Sequence, residues 1–129
     1  MFHVILYEPE IPPNTGNIIR LCANIGSHLH LIHPLGFNWD HHQLQRAGLD
    51  YHEFVEVTQH IDFNNFLEKV QPLRLFGIST RGVNQYDKVK FKEGDAFLFG
   101  PETRGLPEQV LTQLPENNRL RIPMRPGQR

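Results

Sequence analysis

The opening of the chain constrains its fold more than any other stretch. Phe2-His3-Val4-Ile5-Leu6-Tyr7 is apolar and rich in β-favouring residues, and Glu8-Pro9-Glu10-Ile11-Pro12-Pro13 ends it with prolines that hold an extended loop. Asn14 suits the N-cap of a following helix, whose apolar positions Ile18, Leu21, Cys22 and Ile25 fall on one face. Gly26 suits a left-handed stop, and Leu29-His30-Leu31-Ile32-His33 reads as a second strand. Strand, helix and strand in immediate succession form a βαβ unit, which commits the chain to a parallel sheet with a right-handed crossover.

The rest of the chain extends that pattern. Leu35 to Asp40 reads as a loop, His41 to Ala47 as a short helix, and Glu53-Phe54-Val55-Glu56-Val57 as a short strand. Ile61 to Val70 is predicted helical through Ile61, Phe66, Leu67 and Val70. Leu73 to Ser79 and Asp95 to Phe99 are predicted strands, with a polar loop from Thr80 to Gly94 between them. Leu106 to Leu114 follows as a helix with Pro107 in its first turn, and Leu120-Arg121-Ile122 as a last strand before Pro123. The expectation is an α/β protein with a Rossmann-like parallel sheet flanked by helices. Its 129 residues suit a single domain spanning residues 1–129.

Composition narrows the function classes. No apolar run approaches the roughly 20 residues that span a bilayer, and no basic stretch precedes the first apolar one. The single cysteine, Cys22, excludes an internal disulfide, suits the cytoplasm and reads as a core residue. Net charge is −1, which does not advertise nucleic-acid binding, yet Arg119, Arg121, Arg125 and Arg129 all follow the last acid, Glu116. Eight histidines invite a metal reading. His28 and His30 share one strand face and His33 the other, but no cysteine or carboxylate sits at zinc-like spacing, so the expectation is no metal. Ser27 and Ser79 lack a nucleophile elbow.

Chemistry is expected where strand ends carry unusual residues. Ser79-Thr80-Arg81-Gly82, Gly100-Pro101-Glu102-Thr103-Arg104-Gly105 and Ile122-Pro123-Met124 each follow an apolar strand, and ligands of open α/β sheets bind at carboxyl ends of strands. Gly100 permits a close backbone approach, and Pro101 stiffens the turn. The spacing is neither a Walker loop nor a G-x-G-x-x-G fingerprint, so dinucleotides and nucleoside triphosphates are poor candidates. Asn14, Thr15 and Asn17 put hydrogen-bonding groups at a helix start, and Arg20 lies a little under two turns further on.

Those residues carry a family resemblance. Leu6 to Asn24 is similar almost throughout to the opening motif of bacterial tRNA (cytidine/uridine) 2′-O-methyltransferases of the wobble nucleotide, within the SPOUT superfamily of α/β-knotted methyltransferases. Ala47-Gly48-Leu49-Asp50-Tyr51-His52, Phe99 to Pro107 and Arg121-Ile122-Pro123-Met124 resemble the same family in colinear order. The resemblance implies S-adenosyl-L-methionine held in a bent conformation by loops at Ile78, Gly100 and Ile122, with Leu98 and Met124 as apolar walls. It implies a catalytic, RNA-facing role for Asn14 and Arg20, and a homodimer. Because arginine is a poor base, Arg20 is expected to position or polarise the ribose hydroxyl. Backbone contacts to an anticodon loop are expected from Arg20, Arg46, Arg81, Arg121 and Arg125. Glu102 and Arg104 are expected to shape their loop.

The family pattern continues past Ile-Pro-Met into a Ser-rich loop and a helix that complete a C-terminal trefoil knot, whereas this sequence stops at Arg129. The resemblance therefore predicts a domain lacking its last motif. Two other readings follow: a non-catalytic RNA-binding or dimerisation module, and an enzyme of the same fold acting on ribosomal RNA.

Overall fold

A computed structural model describes residues 1–37, 46, 57–79, 84–85 and 89–121. Among the described residues, seven strands form one sheet: β1 (His3–Tyr7), β2 (His28–Ile32), β3 (Thr58–His60), β4 (Leu75–Ile78), β5 (Asn84–Gln85), β6 (Ala96–Phe99) and β7 (Arg119–Arg121). Their order is β3-β2-β1-β6-β4-β7-β5, and every pairing is parallel. Helices α1 (Pro12–Ile25), α2 (Phe63–Val70) and α3 (Glu108–Leu111) connect them.

Side-chain alternation divides the core into two layers. Leu6, Leu29 and Leu31 point to one face and pack against Ile19 and Cys22 of α1. Ile5, Tyr7, Ile32 and Leu98 point to the other and pack against Phe63 and Phe66 of α2 and Val110 and Leu111 of α3. Both faces are thus covered, as an all-parallel sheet requires. Cys22 is a buried free thiol, and burial pushes its pKa up. Gly26 ends α1 at φ 76°, the left-handed stop read from sequence.

Several boundaries differ from the sequence reading. Helix α1 begins at Pro12 and Pro13, so these prolines start the helix rather than prolong the loop. Proline has no N–H and a fixed φ, which suits the first helical turn. The third strand is Thr58–His60, beyond the expected 53–57. Its polar sequence carries little β signal, and its pairing with β2 decides it. Within the expected polar loop, Asn84–Gln85 pairs with β7. Helix α3 is a single turn, and β7 begins at Arg119. Residues 53–56 and most of the helix expected over 41–47 lie outside the described residues; within the latter, Arg46 is helical.

A row of polar groups that the sequence did not reveal as a unit runs from His3 and His28 at the amino-terminal ends of β1 and β2 to His60 at the carboxyl end of β3. His3 Nδ1 lies 3.0 Å from His30 Nε2, and His30 Nδ1 lies 2.9 Å from His60 Nε2. The rings of His28 and His30 stack at 4.4 Å, and Phe66 meets both His30 and His60 edge-on. His28 pairs with Thr58 at 2.7 Å. Burial, reinforced by the neighbouring imidazoles, lowers the His30 pKa to about 3, and burial also lowers those of His3 and His60. These histidines are neutral and locally hydrogen-bonded. Among the described residues, no group of His, Cys, Asp or Glu is placed to hold a metal ion. Beside them, the buried Asp95 carboxylate accepts from Arg74 Nε at 2.9 Å and from the Lys92 amide at 2.7 Å.

Candidate functional site

The carboxyl ends of β4, β6 and β7 are built differently. Register places Ile78 beside Phe99 and beside Leu120, so β4, β6 and β7 end at one level. Three adjacent strand ends present backbone groups along one edge, and the Ser79 amide closes the row by donating to the Leu120 carbonyl at 2.9 Å. Such an edge suits a ligand held mainly through main-chain hydrogen bonds.

The loop after β6 folds over its own start. The amides of Arg104 and Gly105 donate to the Pro101 carbonyl at 3.3 and 2.8 Å, and Gly105 takes a φ of 69°. A Cβ on Gly100 would lie 2.3 Å from the Leu106 nitrogen and 2.4 Å from the Gly105 carbonyl carbon. The close backbone approach read from sequence is therefore made by the chain itself. Gly100 is required because the loop closes on it.

Next to β6 lies β1, parallel to it, and the connections leaving the two strands run toward opposite edges of the sheet. From β1 the chain runs through α1 to β2, and from β6 through α3 to β7, so the sheet's connections diverge between them. This is the switch point where open α/β sheets form a crevice. The exit of β1 is held tightly: Glu8 adopts φ 47°, its amide donates to the Ile32 carbonyl at 3.0 Å, and Pro9 is fully buried. Across the crevice, one oxygen of Glu102 accepts the amides of Glu10 and Ile11 at 2.8 and 2.9 Å. In return Glu10 accepts the amide and hydroxyl of Thr103 at 2.9 and 2.7 Å. These bonds hold the Glu10 carboxyl below its usual pKa, with Arg104 assisting. Arg104 bridges Glu8 and Glu10, each at 3.5 Å.

The expected site residues fall into three groups. Ile78 and Gly100 stand at the levelled strand ends, half-buried, and Arg121 is exposed in β7 beside them. Asn14 lies exposed in the first turn of α1 and Arg20 lies half-buried on the same helix. Asn14 does not cap that helix: its N-cap residue is Ile11, whose amide is taken by Glu102. Leu98 is fully buried and packs in the core with Leu106 and Val110, behind the strand ends. Arg46 is exposed. Ile122, Met124, Arg81 and Arg125 lie outside the described residues. The reading from sequence missed Glu10 and underrated Glu102. Nothing in either residue's local spacing announces a partner some 90 positions away.

Solved structures that share this parallel α/β fold include RNA methyltransferases. One of these, described as giving structural insights into the 2-OH methylation of C/U34 on tRNA, is 49% identical, with a TM-score of 0.86 over 98% of this chain and 82% of that one. Another, a putative RNA methyltransferase from Bacillus anthracis, is 43% identical, with a TM-score of 0.87 over 100% of this chain and 82% of that one. The SpoU rRNA Methylase family profile matches residues 1–129, and the chain belongs to that family. Among its relatives, the tRNA (cytidine(34)-2′-O)-methyltransferase of Escherichia coli K12 is 57% identical over 100% of this chain and 82% of its own. The enzyme of that name from Aeromonas hydrophila is 58% identical over 100% of this chain and 83% of its own.

Proposed function

We propose that this protein is an S-adenosyl-L-methionine-dependent tRNA 2′-O-methyltransferase acting on the wobble nucleotide, cytidine or uridine, of the anticodon. The observation that carries the reading is the single level reached by β4, β6 and β7, one strand away from the β1 exit that feeds the Arg20-bearing helix. Relatives of that activity at 57% and 58% identity over the whole chain support the choice of substrate.

The cofactor fits the edge that the strand ends offer. Ile78 and Gly100, with Ile122 and Met124 beyond β7, would hold it, and Leu98 would support that wall from the core. When bound, it supplies an electrophilic methyl group, so the protein's task is to align a ribose 2′-hydroxyl with it. Arg20 offers that task a permanent cation with several directed N–H donors. It would orient the hydroxyl and balance the adjacent phosphate, while Asn14 at the helix start binds the nucleotide. Arg46, Arg81, Arg121 and Arg125 would contact the RNA backbone.

A homodimer accords with α1, which leaves Leu21 and Ile25 exposed on a face that a second copy would cover. Among the described residues, no helix is long and apolar enough to cross a membrane. We place the reaction in the cytoplasm, where the proposed tRNA substrate is found.

The test is methyl transfer from labelled cofactor to isolated tRNA, with the modified nucleoside mapped. Methylation of the 2′-oxygen at the wobble position is expected. Label appearing in ribosomal RNA but not in tRNA would replace this reading with the ribosomal one. Cofactor binding without transfer to either RNA would favour a non-catalytic module.

A further inference from the structure

The residues from Pro9 to Pro13 have an unusual hydrogen-bond economy. Pro9, Pro12 and Pro13 carry no amide hydrogen, so only Glu10 and Ile11 offer backbone donors. Both donors go to one oxygen of Glu102, which stands in the loop after β6. In the reverse direction, Glu10 takes the amide and hydroxyl of Thr103. Each loop thus lends the other a carboxylate, and all four bonds are charge-assisted. Arg104, in the same loop as Glu102, reaches both Glu8 and Glu10.

We propose that Glu10 and Glu102 are positioning residues for methyl transfer, forming a reciprocal clamp across the switch point. The proposal rests on the methyltransferase reading above. The loop on one side of the clamp follows a strand whose end is assigned to the cofactor. The loop on the other side leads directly into α1, which carries Asn14 and Arg20. The helix has no side-chain cap of its own, and Glu102 instead anchors its N-cap residue Ile11, and Glu10 before it, through their amides. Its entry angle is therefore set from the cofactor side of the crevice. In-line transfer tolerates little misplacement, because errors of about 1 Å cost up to about a hundredfold in rate. The clamp touches neither reacting atom. It fixes the distance between the two groups that do the aligning.

The experiment compares Glu10→Ala, Glu102→Ala, the double variant, and Glu10→Gln with Glu102→Gln. Each glutamine keeps an acceptor oxygen and the side-chain length. Turnover, cofactor affinity by calorimetry, melting temperature and amide exchange of a peptide covering residues 9–13 are measured on each. That peptide reports only Glu10 and Ile11. Each alanine variant should lower kcat about tenfold, while cofactor affinity stays within about threefold and melting is nearly unchanged. The double variant should be no slower than the slower single one, because both carboxylates belong to one device. The glutamines should recover most of the rate, and Glu102→Ala should release exchange in residues 9–13. Turnover unchanged in both alanine variants, losses that multiply in the double, or unaltered exchange in Glu102→Ala would each overturn the clamp. If the wild-type protein binds the cofactor but methylates no RNA, the enzymatic reading falls and takes the positioning role with it. A wild type that turns over normally beside unaffected variants removes the positioning role alone.

Discussion

The two ends of the sheet use polar residues in opposite ways. At the carboxyl end, Glu10, Glu102 and Arg104 are charged, near solvent, and join loops distant in sequence. Toward the amino end, His30 is buried and neutral, and Asp95 is buried and paired with Arg74. Exposed bonds of the first kind add little to stability but fix where a loop stands. Buried bonds of the second kind cannot be broken without leaving an unsatisfied group in the core. One end is therefore organised for alignment and the other for holding the sheet together. Substitutions at the two ends should fail in different measurements.

The largest separation is expected from Arg20→Ala. Loss of a preorganised donor at the reacting oxygen typically costs about 10²–10³-fold in kcat. Melting and cofactor affinity should be nearly unaffected, and turnover within twofold of wild type would remove Arg20 from the reaction. Asp95→Ala should show the converse. It strips Arg74 and the Lys92 amide of their shared acceptor, and urea unfolding should report a loss of about 3 kcal/mol. Among molecules still folded, the rate should be preserved. A rate loss without a stability loss would erase the distinction between the two ends.

The histidine cluster sharpens the comparison through pH. The folded protein keeps His30 neutral down to about 3, whereas the unfolded chain takes up that proton near 6.5. The stabilisation is therefore complete above about 6.5 and is lost as pH falls through that window. The loss runs at about 1.4 kcal/mol per pH unit for each such group. His3 and His60 shift in the same direction and add to the slope. His30→Gln removes one titrating group and should flatten the fall in denaturation midpoint between pH 6.5 and 4. An identical slope in that variant would show that His30 does not carry the effect. The smallest effect is expected at Arg121, exposed beside the strand ends. Arg121→Ala should weaken tRNA binding a few-fold and reduce the salt dependence by about one phosphate contact. Unchanged affinity at all salt concentrations would place the RNA elsewhere.

How far the sequence could be read follows from the same division. Periodicity located β1, α1, β2, β4 and β6, because apolar alternation and helical spacing are local signals. The Gly100 loop stood out because glycine and proline report backbone demands directly. Thr58–His60 did not read as a strand, since its polar side chains are justified only by β2 and the imidazoles beside it. Asn14 looked like a helix cap, because nothing near Ile11 hints that Glu102 will take its amide. What escaped was long-range pairing of polar groups, which leaves no period in the chain.

The cofactor's place at the levelled strand ends is tested most directly by amide chemical shifts recorded during titration with S-adenosyl-L-methionine. Shifts should concentrate at Ile78, Ser79 and residues 99–105, while β3 and the amino-terminal halves of β1 and β2 stay unchanged. Shifts centred on His3, His28, His30 and His60, or none at saturating cofactor, would contradict it.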